Sequence, residues 1–255
     1  MLIDLFAAIV YCSGCLSNGE DMSKIAENIF QIRECIAKAA VDRSVKLLAV
    51  SKTFSVEAIA QAIKAGQLAF GENYAQEGAK KISYFKEHYP DVPLEWHFIG
   101  PLQSNKTKLV AEHFQWVESI DRLKIAQRLN EQRPVDLPPL NVLVEINIDE
   151  ESTKSGIMVG ELEALLAELI KLPRLKLRGL MCIPKAQADD LHRRAVFKEM
   201  RALFDTCVAR GYKLDTLSMG MSADYVCAIE EGSTLVRVGS AIFGARDYSK
   251  KLEGK

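Results

Sequence analysis

The stretch LLAVSK, residues 47–52, decides how the rest of the chain is read. Four apolar residues, Leu47 to Val50, run directly into Ser51 and Lys52. A short apolar run ending in polar residues reads as a strand. Strand side chains alternate between faces, so Leu48, Val50 and Lys52 share one of them. Working outward, further strand-like runs start near Leu68, Leu94, Trp116, Asn141, Leu175, Leu214 and Thr234. With the first they make eight, recurring every 27 residues or so, about the length of one strand–helix unit.

Apolar residues between these runs recur at threes and fours, as amphipathic helices require. Val56, Ile59, Ala60 and Ile63 form one such stripe, and Leu162, Leu165, Leu166, Leu169 and Ile170 another. Phe197, Met200, Phe204, Cys207 and Val208 form a third, and Met22, Ile25, Ile29, Ile32 and Ile36 precede the first strand. The expected fold is α/β, a single (β/α)8 barrel over residues 22–255. A doubly wound open sheet is the alternative, because periodicity does not distinguish closure from openness. No GxGxxG follows the first strand, which weakens a dinucleotide site. The prolines from Pro134 to Pro139 read as a loop, not a linker between domains.

The chain has 255 residues, with 33 basic and 34 acidic side chains and a net charge of −1. No basic stripe interleaved with aromatics is present, which argues against a nucleic-acid surface. Six scattered cysteines fit a reducing compartment and a cytoplasmic location. Cys12 and Cys15 form a lone CxxC without a second pair or a nearby His, so no metal site is expected. Leu5 to Val10 is too short to span a bilayer, and no basic residue precedes it as a secretory signal requires. Residues 1–21 read as a nonessential extension, with Met22 as an alternative start.

Chemistry in such a barrel gathers at the carboxyl ends of the strands. Lys52 stands at the first of these ends. Above an apolar layer its ammonium would be desolvated, which favours the neutral, nucleophilic amine; the alternative is a lysine reaching back to water. Arg237 interrupts the eighth strand and inside a barrel needs either a ligand or an acidic partner. Ser218-Met219-Gly220-Met221-Ser222 and Gly239-Ser240 follow the seventh and eighth strands, where this fold often cradles phosphate. Turn glycines and a helix-capping serine are the plainer reading of both. His97 reads as a core histidine, Lys154 as an exposed loop residue and Lys250-Lys251 as a solvated tail.

These segments recur together in a known family. LLAVSK (47–52), GENYAQE (71–77), HFIGPLQSNK (97–106), TKSGI (153–157), RGLMCIP (178–184), SMGMSAD (218–224) and STLVRVGSAIFGARDYSK (233–250) closely resemble the YggS/PROSC family of pyridoxal phosphate homeostasis proteins. The resemblance runs from about Met22 to Lys251. It implies the barrel of the alanine racemase N-terminal domain, without that enzyme's second domain. It further implies that Lys52 holds pyridoxal 5′-phosphate (PLP) as a Schiff base. Asn73 would line the pocket, Arg237 would face the pyridine nitrogen, and Ser218, Gly220, Gly239 and Ser240 would bind the phosphate. Ser240 stands where many members carry Thr, and Phe54 where others carry Lys or Pro, so the first loop's contacts differ. An arginine at the pyridine nitrogen disfavours carbanion chemistry. With no second base evident, the expected role is a monomeric PLP store or donor, with PLP-dependent apoenzymes or B6-metabolising enzymes as partners. A PLP-dependent amino-acid racemase is the alternative; a sugar-phosphate isomerase using the same phosphate loops is more remote.

Overall fold

The computed structural model describes residues 22–149, 151, 155–185 and 189–245. The extension with Cys12 and Cys15, Lys154 and the Lys250-Lys251 pair lie outside them. Eight parallel strands form the centre: β1 (Lys46–Val50), β2 (Ala69–Glu72), β3 (Glu95–Phe98), β4 (Trp116–Ile120), β5 (Leu140–Ile146), β6 (Leu175–Cys182), β7 (Thr216–Met221) and β8 (Leu235–Val238). They pair in chain order, and β8 returns to pair with β1. That last pairing closes the barrel and rules out the open sheet. All eight strands begin within two residues of the positions read from the sequence.

The helices are α1 (Lys24–Ala39), α2 (Val56–Lys64), α3 (Ala75–His88), α4 (Thr107–His113), α5 (Leu123–Gln132), α6 (Leu162–Leu169), α7 (Asp190–Ala209), α8 (Tyr225–Glu230) and α9 (Ser240–Phe243). Ser23, Ser55 and Asp189 cap α1, α2 and α7 by accepting backbone N–H bonds. The Ser23 cap starts α1 after Met22, so Met22 is exposed while Ile29, Ile32 and Ile36 carry the buried stripe. Ile170 lies beyond the end of α6 and is likewise exposed.

Two apolar layers follow from the alternation. Leu47, Ala49, Val236 and Val238 face outward and pack into one large core with the helices. Leu48, Val50, Ala69, Ile99 and Leu235 form a separate cluster, and Trp116, Leu143 and Met181 another. Burying each large side chain contributes about 1.5–3 kcal/mol. Threaded among these inner clusters are the buried polar residues His97, Glu118, Ser218 and Arg237. The barrel interior is therefore not uniformly apolar.

Candidate cofactor site

Strand register sets out the mouth. Leu48 stands opposite Arg237 and Ala49 opposite Val238, while Val50 stands opposite Gly71. The β1–β2 ladder continues one residue further, with Ser51 N–H donating to the Gly71 carbonyl at 3.0 Å. Carried two residues past Val50, the register sets Lys52 level with Asn73 on one side and the start of α9 on the other. Lys52 is half-buried there. Leu48 and Val50 belong to the inner apolar cluster, the face whose sequence parity Lys52 shares.

Asn73 is held from below by a close approach of backbones. A Cβ at Gly100 would lie 2.5 Å from the Asn73 carbonyl oxygen, so only glycine lets the loops after β2 and β3 meet. The Asn73 Oδ1 atom is buried without a hydrogen-bond partner among the described residues. Leaving such an acceptor unsatisfied costs about 1–3 kcal/mol, which suits a residue meant for a ligand's donor.

Arg237 is buried, and its guanidinium uses two donors within the protein. Nη1 donates to Ser218 Oγ at 2.6 Å and Nη2 to the Cys182 carbonyl at 2.8 Å. Ser218 in turn donates to Glu118 Oε2 at 2.6 Å. Glu118 Oε1 meets His97 Nδ1 at 2.6 Å, His97 Nε2 meets Glu95 Oε1 at 2.6 Å, and Glu95 pairs with Lys46. A line of alternating charge therefore crosses the barrel from Arg237 near the mouth to Lys46 at the amino end. Burial alone would drive the His97 imidazolium to deprotonate, but the hydrogen bonds it donates to Glu118 and Glu95 outweigh that and raise the pKa. Burial likewise opposes ionisation of Glu118 and Glu95, yet His97 holds both below the usual carboxylate range, Glu95 at about 2 with help from Lys46. His97 stacks on Trp116 with centroids 4.9 Å apart. It is the satisfied core histidine that the sequence suggested.

The β7 end corrects one expectation. The strand extends to Met221, so Ser218 lies within it and not in the loop that follows. Its hydroxyl is fully buried and engaged by Arg237 and Glu118. The register shifts between Ser218 and Met221, where Gly220 adopts φ +94°. A Cβ there would sit 2.6 Å from Ala228 Cβ, so glycine lets the turn press against α8. Beyond the turn, Ser222 Oγ accepts from Gly239 N at 3.3 Å and Ala241 N at 3.4 Å. The loops after β7 and β8 thus converge on one point, with two backbone donors aimed at it. Ser222 was legible only as part of the SMGMS run, because strand length could not show which serine cleared the sheet. Ser240 is exposed at the same rim. Phe54 stacks on Phe243 with centroids 4.8 Å apart, tying the first loop to α9.

With this geometry in view, comparison with known proteins is direct. The family profile described as alanine racemase, N-terminal domain, matches residues 21–247. The pyridoxal phosphate homeostasis protein of Escherichia coli strain K12 is 55% identical over 235 residues, covering 90% of this chain and 100% of that one. This chain belongs to that family. Among solved structures, PipY of Synechococcus elongatus with PLP bound is 33% identical at a TM-score of 0.77, covering 86% of this chain and 100% of that one. Alanine racemase from Corynebacterium glutamicum shares the fold alone, at 19% identity and a TM-score of 0.65, covering 90% of this chain and 63% of the enzyme. Family membership and the closed barrel agree with the reading of the seven motifs.

Proposed function

We propose that this chain binds PLP through the amine of Lys52 and serves vitamin B6 homeostasis as a cytoplasmic store and donor of that cofactor. The observation that carries the reading is convergence. Register brings Lys52 level with Asn73, whose Oδ1 is orphaned, and beside the Gly239 and Ala241 donors that meet at Ser222. The name of the Escherichia coli relative and the PLP bound to PipY support the choice of ligand.

When bound, the cofactor supplies an aldehyde carbon open to amine attack and an electron-poor ring. Lys52 provides the amine. Asn73 offers a polar contact beside it. Gly239 and Ser240, with Ser222, present donors for the phosphate, and Gly220 shapes the turn that lets them converge. Arg237 would stand at the ring nitrogen, where a permanent cation with donors only would not deliver the protonation that strong electron-sink enzymes impose. Ser218 contributes through Arg237, whose guanidinium it fixes in place. The free cysteines Cys35, Cys182, Cys207 and Cys227 are compatible with a reducing cytoplasm. A monomer that hands PLP to apoenzymes fits this arrangement.

The experiment is an absorption spectrum of the PLP-saturated protein beside Lys52→Ala, followed by borohydride reduction and peptide mapping. The wild type is expected to be yellow, with the reduced cofactor on the peptide that contains Lys52. Activation of a PLP-dependent apoenzyme by the loaded protein tests delivery. Exchange of α-deuterium from amino acids above the rate of free PLP would instead make it a racemase. A colourless protein without affinity for PLP would reject the whole reading.

A further inference from the structure

Both neighbours of Lys52 are tied down by a buried cluster outside the barrel, between β1, β2 and α3. Lys81 on α3 is buried, and its Nζ donates to three acceptors. These are the Ser51 carbonyl at 2.8 Å, Glu72 Oε1 at 2.9 Å and Glu77 Oε1 at 2.7 Å. Glu77 Oε1 also accepts from Thr53 N at 2.5 Å. Ser51 Oγ donates to Glu72 Oε1 at 2.6 Å, so residue 51 is held by its side chain as well as its backbone. The residue before Lys52 and the residue after it are thus fastened to the same ammonium–carboxylate pair.

The backbone at this point needs such fastening. Thr53 has φ +69°, in the left-handed region that a β-branched residue rarely adopts. Left alone, the chain would relax toward negative φ, and the peptide plane joining Lys52 to Thr53 would rotate. A rotation there swings the Lys52 side chain relative to the mouth. Neutralising a buried lysine requires only one carboxylate, and Lys81 has two. The further bonds to the Ser51 carbonyl and the Thr53 N–H do something that charge balance does not.

We propose that Lys81 and Glu77 are positioning residues for Lys52, clamping the backbone on either side of it so that its amine is aimed into the mouth. The inference rests on the PLP reading of Lys52 given above. Each acts through the peptide groups it holds. Aim matters because amine and aldehyde must meet within a narrow range of distance and angle, and small misplacements are costly. Glu77 is partly exposed, at 29% for its side chain, so its replacement leaves the core packed.

The test compares Glu77→Ala, Glu77→Gln, Lys81→Met and Lys81→Arg with wild type, using three readouts. One is hydrogen exchange at the Thr53 amide in cofactor-free protein. The second is affinity for PLP from titration of its absorption band, and the third is the pH midpoint of that band. Glu77→Ala is expected to speed Thr53 exchange and weaken PLP binding, each by about tenfold, with a displaced midpoint and an intact fold by circular dichroism. Glu77→Gln keeps an acceptor for both donors and should recover most of the loss. Lys81→Met should lose more than Lys81→Arg; should Lys81→Met fail to fold, the two Glu77 variants decide alone. Faster exchange with unchanged affinity and midpoint would make the clamp merely structural and overturn the inference. Unchanged exchange would overturn it as well. A wild type with no absorption band would instead reject the PLP reading, leaving the exchange data to judge the clamp.

Discussion

Two charge clusters with buried centres lie inside and outside the barrel wall, and they are built on opposite principles. Inside the barrel, Lys46, Glu95, His97, Glu118, Ser218 and Arg237 form a single file in which each charge meets an opposite charge or a hydroxyl. Outside it, between strand and helix, two carboxylates share one ammonium, and Glu72 Oε2 is buried without a partner among the described residues. The first cluster is balanced along its length, and the second carries surplus negative charge. Burial acts on them accordingly. It is outweighed at Glu118, whose pKa is lowered, and prevails at Glu72, whose pKa is raised despite Lys81 and Ser51. A fully satisfied file can specify one interior arrangement, whereas an unbalanced cluster must do something other than stabilise to justify its cost.

The same near-isosteric exchange in each cluster tests that difference. Glu118→Gln removes the central anion of the file, leaving His97 with Glu95 alone and setting an amide N–H₂ against Ser218 or His97. Breaking a buried pair by removing one partner costs roughly 3–5 kcal/mol. Urea unfolding of cofactor-free Glu118→Gln should show a loss near that range. A loss below about 1 kcal/mol would mean that water or rearrangement substitutes for the carboxylate, and the file would not specify one interior arrangement.

How much of this was legible beforehand follows from the chemistry of each cluster. The strands were readable because apolar runs end where water begins, and the alternation showed which residues of the first strand share a face. Lys52 and Arg237 were readable because a charge that interrupts such a run needs a reason. Lys81 was not, since on α3 it sits among Lys80, Ser83 and Lys86 in an ordinary polar helix pattern. Only the contact between α3 and the β1 end shows that one of those lysines is buried. Glu118 looked like a polar residue closing the run WVES, and its partners His97 and Ser218 lie on two other strands. Contacts between strands distant in sequence are set by closure of the barrel, which no local pattern encodes. The same holds for Ser222, whose part depends on where β7 leaves the sheet.

Protonation offers an intermediate test. Glu145 on β5 is pushed up to about 7, by burial first and by Asp121 second, against the pull of Arg237. Its folded pKa lies above the unfolded value, so the folded state binds the proton more tightly. Stability from this group is therefore full below about pH 4.3 and is lost as pH rises through about 7. His97 is also raised, so its contribution is full below about pH 6.5 and declines as pH climbs through its folded value. Glu118 and Glu95 are lowered, so their contributions are full above about pH 4.3 and are lost as pH falls through their folded values, about 2 for Glu95. Stability should peak in mildly acidic buffer and fall on both sides. Glu145→Gln should remove much of the decline between about pH 4.3 and 7, gaining about 1–3 kcal/mol over wild type at pH 8 and little at pH 4.5. Parallel pH profiles for the two proteins would show that Glu145 titrates normally.

The smallest effect is expected at Glu72→Gln, and its smallness is the informative part. The amide oxygen can still accept from Lys81 and Ser51, as Oε1 does now. The amide nitrogen replaces an oxygen that has no partner, so one unsatisfied atom is exchanged for another. Losing the charge relieves the burial penalty on Glu72 and leaves Lys81 paired one-to-one with Glu77. These changes oppose each other, and the net should stay within about 1 kcal/mol, against several for the same exchange at Glu118. Thr53 amide exchange should also be unchanged, because the bonds that clamp residues 51 and 53 run through Lys81 and Glu77. A large loss at Glu72 would place the structural burden of the outer cluster on that carboxylate. The contrast between a balanced file and an unbalanced clamp would then fail at its weaker end.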